Sequence, residues 1–273
     1  MNNRKIIPYL KTLAALFIIG IHVAPFYILI NMSLKAPAER TSRWIPPSSL
    51  YMENYSNAIE VGNLLRAISN TLIIVVCSVT IIVVVGAMAA YPLARKASKR
   101  NTLILAFIVG VMMVPSLSIL VPLYKEMVAI GGINQYWGVI IVSATFNLPM
   151  AIYMYTNFIG TIPKEMDEAA MIDGCNRMEV FFHIILPSLK AITASVIIWT
   201  AVGIWNDYQF QLYFLQKPAL RTITLAITTF FTESKTDMGA AAAAAFIVVL
   251  PPVLMYIALQ KYFVQGEMDS AVK

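Results

Sequence analysis

Charge is scarce in this chain. Asp, Glu, Lys and Arg make up 12% of its 273 residues, against about a quarter in a soluble domain. Most of its surface therefore cannot be facing water. Cysteine is nearly absent. Cys77 falls in an apolar block and Cys175 in a polar loop, so no disulfide framework is expected and both read as small packing residues. Histidine is limited to His22 and His183. Neither has a metal partner at ligand spacing, so no metal site is expected. No Gly-x-x-x-x-Gly-Lys-Ser/Thr run occurs, which excludes a phosphate-binding loop of that kind. Internal repeats, low-complexity linkers and a second soluble domain are missing too, so one domain over 1–273 is expected. The short alternating strands of a membrane β-barrel are also missing.

What the chain does have is apolar bulk. Hydrophobic residues reach 59% and the mean hydropathy is +0.73. They gather in six blocks, at about 12–34, 69–94, 102–124, 137–159, 189–215 and 239–262. About 20 such residues carry a helix across ~30 Å of hydrocarbon. Lipid offers the backbone no hydrogen bonds, so each block must satisfy its own N–H and C=O groups as a helix. The expectation is an all-α integral membrane protein of six spans. The first run follows Arg4 and Lys5 as a signal peptide would, but it is too long for that and shows no small-residue cleavage site. It is expected to be a retained helix. Ala240 to Ala245 reads as a close-packing face of the sixth span. Pro115, Pro122, Pro149, Pro251 and Pro252 lie inside blocks, where proline kinks a helix. Such kinks serve hinges in transporters and also occur in ordinary membrane helices.

The formal net charge is +6. The basic residues sit mostly in short loops, which points to membrane orientation and not to nucleic acid. Arg95, Lys96, Lys99 and Arg100 crowd the loop after the second block and assign it to the cytoplasm. With six spans, both termini and the loop at 160–188 then fall on that side. The loops at 35–68, 125–136 and 216–238 fall outside.

The loop at 160–188 has the most internal grammar. Pro163 suits a first helical turn, Glu165, Asp167 and Glu168 complement a positive helix end, and Gly174 supplies a stop. A second short helix is expected from about Met178 to Ile185, ending at Pro187. One face of the first helix carries Met166, Ala169, Ala170 and Asp173, three or four residues apart. By itself this pattern also fits a solvated helix resting on lipid headgroups.

Its spacing carries more. Three residues separate Ala170 from Gly174, and ten separate Gly174 from Ile185. Glu168-Ala169-Ala170, Gly174 and Ile185-Leu186-Pro187 resemble the signature of permease subunits of binding-protein-dependent ABC importers. Further segments resemble the carbohydrate-uptake branch of that family, the maltose- and multiple-sugar-type permeases. They are Ser33-Leu34-Lys35, Asn70-Thr71, Asn147-Leu148-Pro149, Ile162-Pro163, Ile172-Asp173-Gly174, Trp205-Asn206-Asp207 and the tail from Gln260 to Gly266. The tail departs from the family pattern at Glu267-Met268-Asp269. The resemblance covers nearly the whole length and matches the shorter, six-helix partner of a permease pair.

The resemblance implies a membrane-spanning permease of an ATP-driven importer, with no enzyme activity and no bound cofactor of its own. ATP and Mg would be used by two copies of a cytoplasmic ABC ATPase. A second, homologous permease subunit would complete a heterodimer in a bacterial-type inner membrane, among its lipids. An extracytoplasmic solute-binding protein would deliver a carbohydrate, and the loop at 216–238 is expected to meet it. Monosaccharide, oligosaccharide and glycerol-phosphate importers share the pattern. Glu168, Ala169, Ala170, Asp173, Gly174 and Pro187 would form the coupling loop that sits in the ATPase.

Polar groups at membrane depth default to functional hypotheses. Asp207 leads, with Trp205, Asn206, Gln209 and Gln211 beside it and Asn147 and Tyr153 in the fourth block. Rings with amide and carboxylate groups suit sugars, which offer apolar C–H faces and many hydroxyls. The same Trp205, Tyr208 and Tyr213 also fit an interfacial aromatic belt. Two rival functions remain open at this point. A secondary transporter would need intramembrane acids or histidines for ion coupling, and Asp207 is nearly the only deep one. A membrane scaffold subunit would have no ATPase at the Glu168 loop.

Overall fold

The computed structural model describes residues 3–232 and 235–271, with side chains described for 9–231 and 237–261. Thirteen α-helices and a small hairpin occur among the described residues. They are α1 (Asn3–Ser33), α2 (Glu53–Val61), α3 (Leu64–Arg95), α4 (Lys99–Val111), α5 (Leu120–Ala129), α6 (Tyr136–Thr161) and α7 (Glu165–Ile172). Then come α8 (Arg177–Val180), α9 (Leu186–Ser188), α10 (Lys190–Trp205), α11 (Gln209–Phe214), α12 (Ile223–Ile227) and α13 (Met238–Ala271). Strands β1 (Phe231–Thr232) and β2 (Lys235–Thr236) pair antiparallel, with Phe231 opposite Thr236.

Four helical stretches are long and apolar enough to cross a membrane: Tyr9–Ser33, Leu64–Arg95, Tyr136–Thr161 and Met238–Lys261. Two more spans exist if each of two bent pairs counts as one. The fold is therefore an all-α membrane fold, but two of the six expected blocks are not straight helices. The third bends by 88° between Lys99–Val111 and Ser116–Ala129. Its cause is Pro115, which adopts an extended ψ of 128°, lacks an N–H, and disfavours helical geometry at Val114. The fifth expected block, 189–215, stops at Trp205 and resumes at Gln209. Asn206 and Asp207 interrupt it, residues whose side chains compete with the helix for backbone groups.

The chain divides into two compact units. One comprises Met1–Leu65 and Ala226–Leu250. Its centre is Asn54, fully buried, whose amide donates to the carbonyls of Ser33 at 2.9 Å and Lys35 at 2.8 Å. One carbonyl belongs to the last residue of α1 and the other lies just beyond it, so a side chain satisfies what the helix end leaves open. Gly239 is required beside it, because a Cβ there would lie 2.6 Å from the Asn54 Oδ1. Ser33 Oγ and the Tyr55 hydroxyl are 2.8 Å apart, and Tyr55 meets Phe246 edge-on. Ala240 to Ala244 are buried throughout. The alanine run is thus not one packed face, as its sequence suggests, but a segment enclosed all round, which only a helix this slim allows. In the loop after α1, Glu39 accepts from Thr41 Oγ1 at 2.8 Å and from Ser48. The Thr41 bond, helped by those from Ser48, holds the Glu39 carboxyl below its ordinary value.

The other unit comprises Arg66–Leu225 and Pro251–Lys273. Here α3 and α6 approach closely: a Cβ on Gly86 would sit 3.3 Å from the Ala151 methyl. Tyr155 is fully buried and donates to Thr193 of α10 at 3.1 Å. At the Asn70 end of α3, the Asn70 amide donates to the carbonyls of Ala219 and Arg221, while its oxygen accepts from Tyr136 at 2.7 Å. Thr71 Oγ1 accepts from the Ile223 N–H at 3.1 Å. The pair Asn70-Thr71, one of the segments that carry the resemblance, thus anchors the connection that follows α11. Cys77 and Cys175 are both free thiols. The tip of the hairpin at Glu233, and the side chains of the tail motif from Tyr262 onward, lie outside the described residues.

Candidate functional site

The loop between α6 and α10 is built from standard helix ends. The N–H of Gly174 bonds to the Met171 carbonyl at 3.1 Å and that of Cys175 to the Ala170 carbonyl at 3.0 Å. These are the two bonds of a Schellman stop, which needs a left-handed residue after the helix. Gly174 supplies it with φ +94°. Asn176 then caps α8: its side chain accepts from Met178 and Glu179 N–H groups, and Glu179 returns a bond to the Asn176 N–H at 2.7 Å. The expected second helix runs on from α8 as a wider π turn, Phe181–Ile185, and ends in α9 around Pro187. Pro187 has no N–H to offer the preceding turn, and the Leu186 N–H reaches back to the Phe181 carbonyl instead. The chain then turns by 73° into α10.

Met166, Glu168 and Ala169 on α7 are exposed, as are Asp173 and Gly174 just after it and Pro187 at the far end of the loop. Ala170 departs from the expected face: it is 6% exposed. It shares an inward side with Asp167, one turn before it, and so is not available to a partner. That side of the helix is held by an interaction not read from the sequence. Arg95, the last residue of α3, makes two bonds to the Asp167 carboxylate, Nε to Oδ2 at 2.9 Å and Nη2 to Oδ1 at 2.8 Å. Its Nη1 donates to the carbonyls of Ile159 and Ile162, at the C-terminal end of α6. Tyr91 adds a third side-chain bond to Asp167 at 2.9 Å. Each group sits where helix electrostatics favours it, a cation at a C-terminus and an anion in a first turn. The guanidinium fork makes the pairing directional. In sequence, Arg95 reads only as a topological charge. The signal for its second role is Tyr91 and Arg95 at i and i+4, donors on one face of a helix end, with a spare carboxylate in the next loop helix.

Beside this latch lies a cavity of about 500 Å³. Met88, Met171 and Phe181 give it apolar walls, and Lys164, Glu168 and Arg177 line it as well. It joins the Arg95 end of α3 to both short helices of the loop.

The second candidate region is the break between α10 and α11. Asp207 accepts from the Phe210 N–H through Oδ1 at 3.3 Å, while Oδ2 is buried without a partner. Trp205 is 4% exposed and its indole N–H is unpartnered, as is the Gln209 amide nitrogen. Buried polar atoms without partners are rare and costly. Gln211 differs from them: it is fully buried and satisfied, donating to the Ile204 carbonyl and accepting from Thr224 at 3.2 Å. Those bonds tie α11 to the end of α10 and to Thr224. Asn206 is exposed and bonds back to Val202. Asn147 donates to Ser143 on its own helix and faces Gly203 of α10, and Tyr153 is 40% exposed. Neither has a hydrogen bond to the break among the described residues. His22 and His183 each bond a carbonyl one turn back, and no metal-binding cluster occurs among the described residues.

Residues 82–267 match the family described as "binding-protein-dependent transport system inner membrane component". The chain belongs to that family. This permease is 41% identical to the melibiose/raffinose/stachyose import permease protein MelC of Bacillus subtilis, over 96% of its own length and 95% of the relative's. It is 32% identical, over 97% of each chain, to AmyC of Thermoanaerobacterium thermosulfurigenes, a probable starch degradation products transport system permease. Its fold matches a chain of a bacterial ABC transporter involved in import of the acidic polysaccharide alginate, known from a crystal structure. The TM-score is 0.82 at 18% identity, covering 96% of this chain and 98% of that one. The protein is a membrane-spanning permease subunit of a binding-protein-dependent importer, with the all-α fold of such permeases.

Proposed function

We propose that this permease carries a sugar or oligosaccharide inward, driven by a separate ATPase that docks on α7. The observation that carries the reading is the construction of that loop. Glu168, Ala169 and Asp173 stand exposed on a helix whose far side is fastened by Arg95 and Asp167 to the ends of α3 and α6. A push on the exposed side is thereby passed to two membrane helices. The chain has no phosphate-binding loop, so ATP and Mg belong to the partner. The Arg95–Arg100 turn and the α7 loop face the cytoplasm on this reading, with both termini, in a bacterial-type inner membrane. A second, homologous permease subunit pairs with this one, and an extracytoplasmic binding protein meets the connection at 216–238.

Named sugar permeases among the relatives support a carbohydrate substrate. The helix break supports a polar passage: Trp205 N–H, Asp207 Oδ2 and the Gln209 amide are donors and an acceptor held ready without protein partners. Isolation from the native membrane tests the assembly. A second permease and an ATPase should co-purify, and an active homodimer free of both would contradict it. A sugar panel tested on the cognate binding protein, followed by uptake of the bound sugar, would fix the substrate.

A further inference from the structure

At the Arg95 end of α3 the chain turns sharply into α4 and leaves a second cleft between the two helices. Its volume is about 350 Å³, within the ~300–1,000 Å³ of small-molecule sites. One end is cationic, lined by Lys96 and Arg100. The other is apolar, walled by Leu93 of α3 and by Ile104 and Ile108 of α4. Arg95 next door is taken up by Asp167, but neither Lys96 nor Arg100 has an ion-pair partner among the described residues. The turn is rigidly made. Asn101 donates through its amide to the carbonyls of Pro92 and Lys96, both at 2.9 Å, and its own N–H bonds to Ser98 Oγ. The cleft is therefore preformed, because this clamp sets the separation of α3 and α4.

We propose that this cleft holds one anionic phospholipid, its phosphate between Lys96 and Arg100 and an acyl chain along Leu93, Ile104 and Ile108. The charge at the mouth selects an anion, and the apolar wall, continuous with two membrane helices, selects one that carries a hydrocarbon chain. A soluble phosphate would use the first feature and leave the second wet. The bound lipid lies against the residue after Arg95, so it braces the same helix end that the α7 latch uses. The proposal rests on the reading of this turn as membrane-interfacial and cytoplasmic.

Native mass spectrometry of the assembled transporter tests it, with phosphatidylglycerol and phosphatidylcholine of identical chains supplied in equal amounts. One phosphatidylglycerol should be retained in preference. Each cation near an anionic surface changes binding about fivefold, so K96Q/R100Q should lower that retention by more than tenfold. Both positions are exposed, where substitutions leave folding nearly unchanged. Lys125→Gln with Lys190→Gln removes two exposed cations that line neither cleft and should leave retention as it was. Ile108→Trp should displace the lipid by filling the chain groove. Equal retention of the two lipids, an equal loss in the Lys125/Lys190 variant, or unchanged retention in Ile108→Trp would each overturn the site. The readout does not depend on which way the chain crosses the membrane. Labelling a cysteine placed at Ala97 in sealed cells tests that separately.

Discussion

At the residue scale, Arg95 and Asp167 matter most. Their side chains are 12% and 6% exposed, and removing one partner of so enclosed a pair costs about 3–5 kcal/mol. Arg95→Met should therefore lower the unfolding midpoint of the purified transporter sharply. Adding Asp167→Asn should recover part of the loss, because it removes the stranded charge. Additive losses in a denaturation series would show that the two residues do not act as a pair. Gly174 makes a different demand. Nothing lies within 4 Å of a Cβ built there, so a substitution meets backbone strain and not a clash, at about 1–2 kcal/mol. Gly174→Val should leave the assembled subunits folded but reduce uptake at least tenfold per ATP hydrolysed. Unaltered uptake would remove α7 from coupling. Glu39 gives a pH dependence. Its folded pKa lies below the ordinary 4.5, so its bonds hold the loop above that pH and are lost as acidification passes the lowered value. The protection factor of the Ser48 amide, its exchange rate divided into the intrinsic rate at each pH, should fall only there, and an unchanged protection factor between neutral pH and strong acid would contradict it.

At the scale of elements, much was legible and the exceptions have physical causes. The loop helix, its glycine stop and its proline end follow from local rules, and the structure has all three. Ala170 faces inward, opposite to the side its spacing suggests, because small residues carry no sign of which way they face. Asp167 then decides that orientation through a contact with Arg95, 72 positions away in sequence. The break at Asn206 was hidden by the apolar residues on both sides of it. Asn206 and Asp207 read as polar cargo in a continuous span, when they are what ends it. The strands β1 and β2 have no counterpart in the sequence pattern, since two-residue strands leave almost no periodic signal. Deleting Thr232–Asp237, part of which lies outside the described residues, should abolish stimulation of the ATPase by loaded binding protein. Normal stimulation after the deletion would release this element from that contact.

For the whole molecule, the exposed surface is the main constraint. The best spanning window of α1 has none of its residues buried within the chain. Leu13, Phe17 and Ile21 on it are all more than half exposed. A soluble protein could not carry such a face, and it fits a membrane span whose cover comes from outside the chain. Composition made the membrane class legible from the start, since a chain with 12% charge cannot dress its own exterior. No composition could tell which surface would meet an ATPase, because the surface proposed for it is a few exposed atoms on an eight-residue helix.

A photo-crosslinking residue at Ala169, which is exposed on α7, tests the central claim most directly. Irradiation of native membranes should yield one adduct, between this permease and the nucleotide-binding subunit, with a yield that changes when ATP is added. An adduct to lipid alone, or none at Ala169 while a control at Lys190 on α10 reacts with the ATPase, would contradict the account.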